Sequence, residues 1–189
     1  TVNETAQERQ KALDLFSAGR EGEWRNRLIW GDKKYVLPAL LEEFDLVWYE
    51  EPVLADDLAA CEEVAKAIRI PVATGENNYT RYEFRELIQR RAARYLMPDV
   101  CRANGYSETL KIGHLAAAHG IAVSPHVVHE LSLQVCGALS NGFLVEYMDW
   151  APKDLFEELP ECKDGEFRIP AKPGHGITLT KEALKKYRT

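Results

Sequence analysis

The sequence predicts an α/β fold of the barrel type, in which parallel strands alternate with helices. Three observations carry that expectation. Five short apolar runs each end in an acid or a histidine: Leu46 to Glu50, Val72 to Glu76, Tyr95 to Asp99, Ile121 to His126 and Phe143 to Glu146. Their terminal residues stand 26, 23, 27 and 20 positions apart, against the roughly 31 residues that one strand–helix unit takes in an eight-fold barrel. The intervening segments carry helix start and stop signals, and strands alternating with helices make a parallel sheet.

The elements follow in order. Ala6, Leu13 and Phe16 give 4–16 a helical stripe, and a second helix is expected over 33–44. Between them, 17–31 holds Gly19, Gly22 and mixed charges with no clear period. Pro52 ends the first strand, and Asp56 or Asp57 can cap a helix running through Ile68. Pro71 opens the second strand; Thr80 can cap a helix to about Arg91. Ser107 is the expected cap of a helix to His119, with Gly120 past its end. A further helix is expected over 130–139, then extended pieces and turns over 165–179, and a last polar helix from Thr180.

Composition narrows the class. A length of 189 residues, 46% hydrophobic and 29% charged, is ordinary for a globular domain with a sizeable core. The net charge of −6 argues against a nucleic-acid partner. Arg90, Arg91 and Arg94 form the densest basic cluster and read as a solvated helix end. No apolar run approaches the roughly 20 residues that span a bilayer, so no membrane role is expected, and the start shows no signal-peptide pattern. Four scattered cysteines with no Cys-x-x-Cys fit reduced thiols in a cytoplasmic protein.

The chemistry comes from the strand ends. Polar groups at successive strand ends of a barrel converge on one face. Glu50 and Glu76 suit Mg²⁺, which takes oxygen ligands and keeps some waters. His126 suits a general base near neutral pH, and Asp99, ending the preceding strand, can hydrogen-bond its ring. Glu146, when protonated, could donate a hydrogen bond to a substrate carboxylate oxygen. The set permits removal of the proton α to a carboxylate, with a cation stabilising the doubly negative enediolate. The run His126-Val127-Val128-His129-Glu130 superficially suggests a zinc protease, but the His-Glu-x-x-His order is absent. His129 reads instead as a pocket-rim or helix-start residue, and His114, His119 and His175 as surface or packing residues.

The joint pattern Trp48-Tyr49-Glu50-Glu51-Pro52, Gly75-Glu76-Asn77, Met97-Pro98-Asp99, Ser124-Pro125-His126, Val145-Glu146 and Pro173-Gly174-His175-Gly176-Ile177 resembles the catalytic barrel of the enolase superfamily, mandelate racemase/muconate lactonizing subgroup. The resemblance runs from about Lys33 to the end. It implies a (β/α)7β TIM-type barrel, present here in part (about strands four to eight), with the capping α+β domain absent. On that reading 1–32 is an irregular barrel remnant and 33–189 the C-terminal part of the barrel with an extended tail, so the sequence, which begins at Thr1 without Met, is expected to be a fragment. The superfamily uses a Lys or His base with Mg²⁺. Glu50 and Glu76 then resemble the second and third metal ligands, Asp99 and His126 the base dyad, and Glu146 the acid that polarises the substrate.

The resemblance has gaps. The family's first ligand is an Asp in an Asp-x-Asn motif, but its spacing falls near Trp24 and Asn26, and Asp32 is the one nearby substitute, out of register and without the Asn. The Lys-x-Lys motif is missing, and Asn104-Gly105 stands where a Gly-Gly pair is frequent. The family implies a homo-oligomer acting on a small-molecule carboxylate, a sugar acid by the similarity of the segment 145–150. Dehydration of an aldonate or aldarate is the leading expectation, with racemisation or epimerisation of a 2-hydroxy acid as the near alternative. A degenerate barrel used for binding or assembly is the non-catalytic alternative, and acids serving only as scaffold ion pairs a purely structural one.

Overall fold

The computed structural model describes residues 46–188. The described architecture lies in the compact unit Trp48–Thr189. The helices expected over 4–16 and 33–44, the 1–32 segment and Asp32 lie outside the described residues.

Four strands form a parallel sheet in sequential order: β1 (Tyr49–Glu50), β2 (Val72–Thr74), β3 (Tyr95–Leu96) and β4 (Ala122–Val123). Register places Tyr49 beside Val72, Ala73 beside Tyr95, and Leu96 beside Val123. Each connection is a helix: α1 (Leu58–Ala67), α2 (Arg81–Arg90) and α3 (Tyr106–Ala118), with α4 (His129–Ala138) after β4. Consecutive helices touch along the row from α1 to α4. This is the alternation the sequence predicts.

Side-chain period explains the core. Phe84, Leu87 and Ile88 lie on one stripe of α2, and Ile112 and Ala116 on one stripe of α3; all are buried. They join Val72, Leu96 and Val123 from the strands in one cluster. Full burial of a side chain such as Phe84 contributes about 1.5–3 kcal/mol. Packing is close enough that a Cβ on Gly113 would lie 2.3 Å from Leu139 Cδ1. Asn141 closes the next loop by donating to the carbonyls of Gly113 and Ile121 at 3.1 and 2.8 Å.

The caps follow the sequence in part. Asp57 accepts from the Ala60 amide at 2.9 Å and Thr180 from the Ala183 amide at 3.0 Å, as expected of N-caps. Thr80 stands at the start of α2 but makes no side-chain cap; Glu83 reaches back to the Tyr79 amide at 3.0 Å instead. The cap of α3 is Gly105, not Ser107. Gly105 holds φ +79°, a turn that places the cap two residues before the serine and starts the helix at Tyr106.

The fifth expected strand, Phe143 to Glu146, reduces to one parallel bridge between Val123 and Gly142. Val123 donates to Asn141 O and Phe143 to Val123 O, both at 2.9 Å. The next rung would need an N–H from Pro125, which has none. Leu144 donates to the Ser124 hydroxyl at 3.3 Å instead. The tail holds a hairpin, β5 (Cys162–Lys163) and β6 (Glu166–Phe167), turned at Asp164-Gly165 with φ +53° and +79°, and ends in α5 (Lys181–Tyr187).

Candidate active site

The C-terminal ends of the four parallel strands, with the segment that follows the Val123–Gly142 bridge, bring the five predicted residues toward one place. His126 is fixed through its backbone, which donates to Pro98 O at 3.2 Å, so its ring lies beside Asp99. Nδ1 of His126 is 3.0 Å from Asp99 Oδ2. Nε2 is 3.2 Å from Glu76 Oε2 and 3.9 Å from Glu146 Oε2. His126 and Asp99 are both buried. The other Asp99 oxygen accepts from the amides of Cys101 and Arg102 at 2.7 and 3.0 Å, which locks the carboxylate against rotation.

Glu50 ends β1. Burial pushes its carboxyl above the usual range, the Trp48 indole opposes that by donating at 2.9 Å, and the negative charges of Glu146 and Glu76 add to the rise. Glu76 follows Gly75, whose φ of +131° and contact with Phe84 leave no room for a side chain. The neighbouring Glu51 has a different job. Its carboxylate accepts from the Thr74 hydroxyl and, at 3.0 Å, from the Gly75 amide, tying β1 to β2. Glu146 accepts from the Val127 amide at 3.2 Å.

The backbone after His126 is strained. Val127 and Val128 hold φ of +28° and +41°, a costly region for β-branched residues. Ser132 holds the Val127 carbonyl at 2.7 Å, and α4 starts at His129, so the expectation of a helix-start histidine stands. His129 packs against Tyr147 and Phe167 at 4.8 and 5.2 Å between ring centroids. The two imidazoles of the His-x-x-His pair therefore meet different surroundings.

Arg102 escaped the sequence reading. Its Nη1 donates to Glu76 O and Asn77 Oδ1, both at 3.1 Å, and lies 3.4 Å from Glu76 Oε1. Its Nε is 3.9 Å from Asp99 Oδ2. Arg102 thus joins the end of β2 to the end of β3. The available signal was spacing: three residues after Asp99, on a tight turn, a side chain folds back over the acid.

Among the described residues no three His, Cys, Asp or Glu side chains form a ready ligand set for a metal. Glu50 and Glu76 supply two carboxylates; burial first, and then the negative charges of Glu146 and Glu76, raise the Glu50 carboxyl, and a bound cation offsets both. Mg²⁺ is often held by one or two carboxylates with waters filling its octahedron, so this donor chemistry fits it.

Residues 30–183 match the family described as "Enolase C-terminal domain-like", and the chain belongs to that family. Its relatives are sugar-acid dehydratases and cycloisomerases of the enolase superfamily. It is 36% identical over 145 residues to L-talarate/galactarate dehydratase of Salmonella typhimurium, covering 77% of this chain and 36% of that one. It is 34% identical over 158 residues to D-xylonate dehydratase of Haloferax volcanii, covering 79% and 38%. Among solved structures it resembles L-talarate dehydratase from Polaromonas sp. JS666 complexed with Mg and L-glucarate. There the TM-score is 0.75 and the identity 36%, covering 82% of this chain and 43% of that one. The chain spans about two fifths of the length of such relatives.

Proposed function

We propose that the protein dehydrates a sugar acid, an aldonate or aldarate, after removing the proton α to its carboxylate, in a site completed by the rest of a (β/α)7β barrel. The observation that carries this reading is the Asp99–His126 pair with Glu50, Glu76 and Glu146 around it. The relatives named above as dehydratases support the substrate class.

Each residue has a part. Nδ1 of His126 is held by Asp99, which fixes the ring and stabilises the positive charge it gains. Nε2, once free of Glu76, takes the α-proton and leaves an enediolate. The same proton then goes to the hydroxyl on the next carbon. That C–O bond breaks, water leaves, and the enol that remains becomes a 2-keto-3-deoxy acid. Glu146 faces the same space and donates to a substrate carboxylate oxygen, where charge builds up. Glu50 and Glu76 would hold Mg²⁺, which supplies charge stabilisation for the substrate carboxylate when bound. The experiment is incubation of the whole protein and Mg²⁺ with a panel of aldonates and aldarates, with colorimetric detection of the 2-keto product. Keto acid from at least one substrate is the expected result; a racemised or epimerised acid with no keto product would move the activity to the alternative class.

A further inference from the structure

The opposite end of the sheet holds a second, independent feature. A cavity of about 560 Å³ opens at the N-terminal ends of β2, β3 and β4. Arg69, Arg91, Arg94 and His119 line it, over a floor that includes the buried Ile88 and Ile121. No acidic side chain lines it among the described residues. This is unusual on a chain of net charge −6. Other basic residues of the same helices are paired: Arg81 with Glu108, Arg85 with Glu86, Arg90 with Glu62. Among the described residues Arg69 and Arg91 have no carboxylate partner, and Arg94 reaches only the Gly120 carbonyl, at 3.4 Å.

The backbone adds a second observation. Arg91 ends α2 in the left-handed conformation, φ +56° and ψ +33°. Glycine occupies such a position most cheaply, and Gly120 does so after α3, at φ +66°. An arginine there carries a conformational cost. The backbone around it is pinned, with the Ala92 amide on Leu87 O at 3.0 Å and the Arg94 amide on Val72 O at 2.8 Å. Arg91 and Arg94 therefore stand on a fixed loop that lines a cavity with no acidic side chain among the described residues.

We propose that this cavity binds a small phosphate-class polyanion. Arginine forks match phosphate oxygens in pairs, and the volume lies in the range of small-molecule sites, about 300–1,000 Å³. The site is separate from the strand ends that carry His126, so its occupancy does not depend on the proposed dehydration.

The test is calorimetric titration of the full-length protein with pyrophosphate at fixed ionic strength, comparing wild type, Arg91→Gly and Arg90→Gln. Arg91→Gly relieves the left-handed strain, so its melting temperature holds or rises and lost binding cannot be blamed on unfolding. The expected result is saturable binding at one site per chain, weakened about tenfold or more in Arg91→Gly and unchanged in Arg90→Gln. Absence of saturable binding, or equal affinity in wild type and Arg91→Gly, would overturn the proposal.

Discussion

Nδ1 of His126 lies 3.0 Å from Oδ2 of Asp99, a residue 27 positions earlier in the chain. Strand register makes this contact: β3 and β4 pair Leu96 with Val123, so the residues three further on also stand side by side. Asp99→Asn keeps the amide contacts with Cys101 and Arg102 within reach but removes the charge that stabilises a protonated ring. It should leave the circular dichroism spectrum unchanged and lower α-proton exchange about 10²–10⁴-fold, the usual scale of general-base catalysis. Isotope exchange followed by proton NMR checks it.

Glu50 predicts a pH-dependent stability effect in the metal-free protein. Burial holds its carboxyl above the usual glutamate range. The folded state therefore binds this proton more readily than the unfolded state does. Its stabilising contribution is complete below the unfolded value and is lost as pH rises through the raised folded one. Glu50→Gln should melt higher than wild type at neutral pH and gain less at about pH 4. Thermal melts in the presence of a chelator at both pH values check the difference.

Arg102 is a positioning residue for Glu76 and Asp99. Removing it in Arg102→Ala deletes two partly exposed charge-assisted contacts and the donor to Asn77. Exchange should slow about tenfold. Arg102→Lys should recover part of that rate, because an ammonium keeps the charge but lacks the fork that spans several acceptors.

Gly75 cannot carry a side chain. A Cβ there would lie 2.6 Å from Phe84 Cε1, and φ is +131°. Phe84 is fully buried, so it has little room to move. Gly75→Ala should cost about 2–3 kcal/mol, from overpacking and a forbidden backbone angle together, measured as a lower urea midpoint with an unchanged slope.

The parts of this molecule that repeat were readable from sequence. Runs ending at Glu50, Glu76, Asp99 and His126 show a period and a chemistry, and the sheet pairs them in chain order. What depends on a single hydrogen bond was not readable. Ser107 looked like a cap, but Gly105 turns the chain first. Phe143 to Glu146 looked like a strand, but Pro125 withholds one N–H and the ladder stops. Glu50 and Glu51 look alike in sequence, yet one faces the site and the other ties β1 to β2. Arg90, Arg91 and Arg94 read as one solvated cluster; Arg90 pairs with Glu62, whereas Arg91 and Arg94 line a cavity. Asp32, the expected substitute for the first metal ligand, lies outside the described residues.

The most direct measurement is hydrogen–deuterium exchange at the α-carbon of aldonates and aldarates, followed by proton NMR in D₂O with Mg²⁺, for the whole protein and its His126→Asn variant. The wild type should exchange at least one sugar acid, and the folded variant should lose that exchange about 10²–10⁴-fold. Exchange that persists at the wild-type rate in His126→Asn would contradict the assignment of His126 as the base.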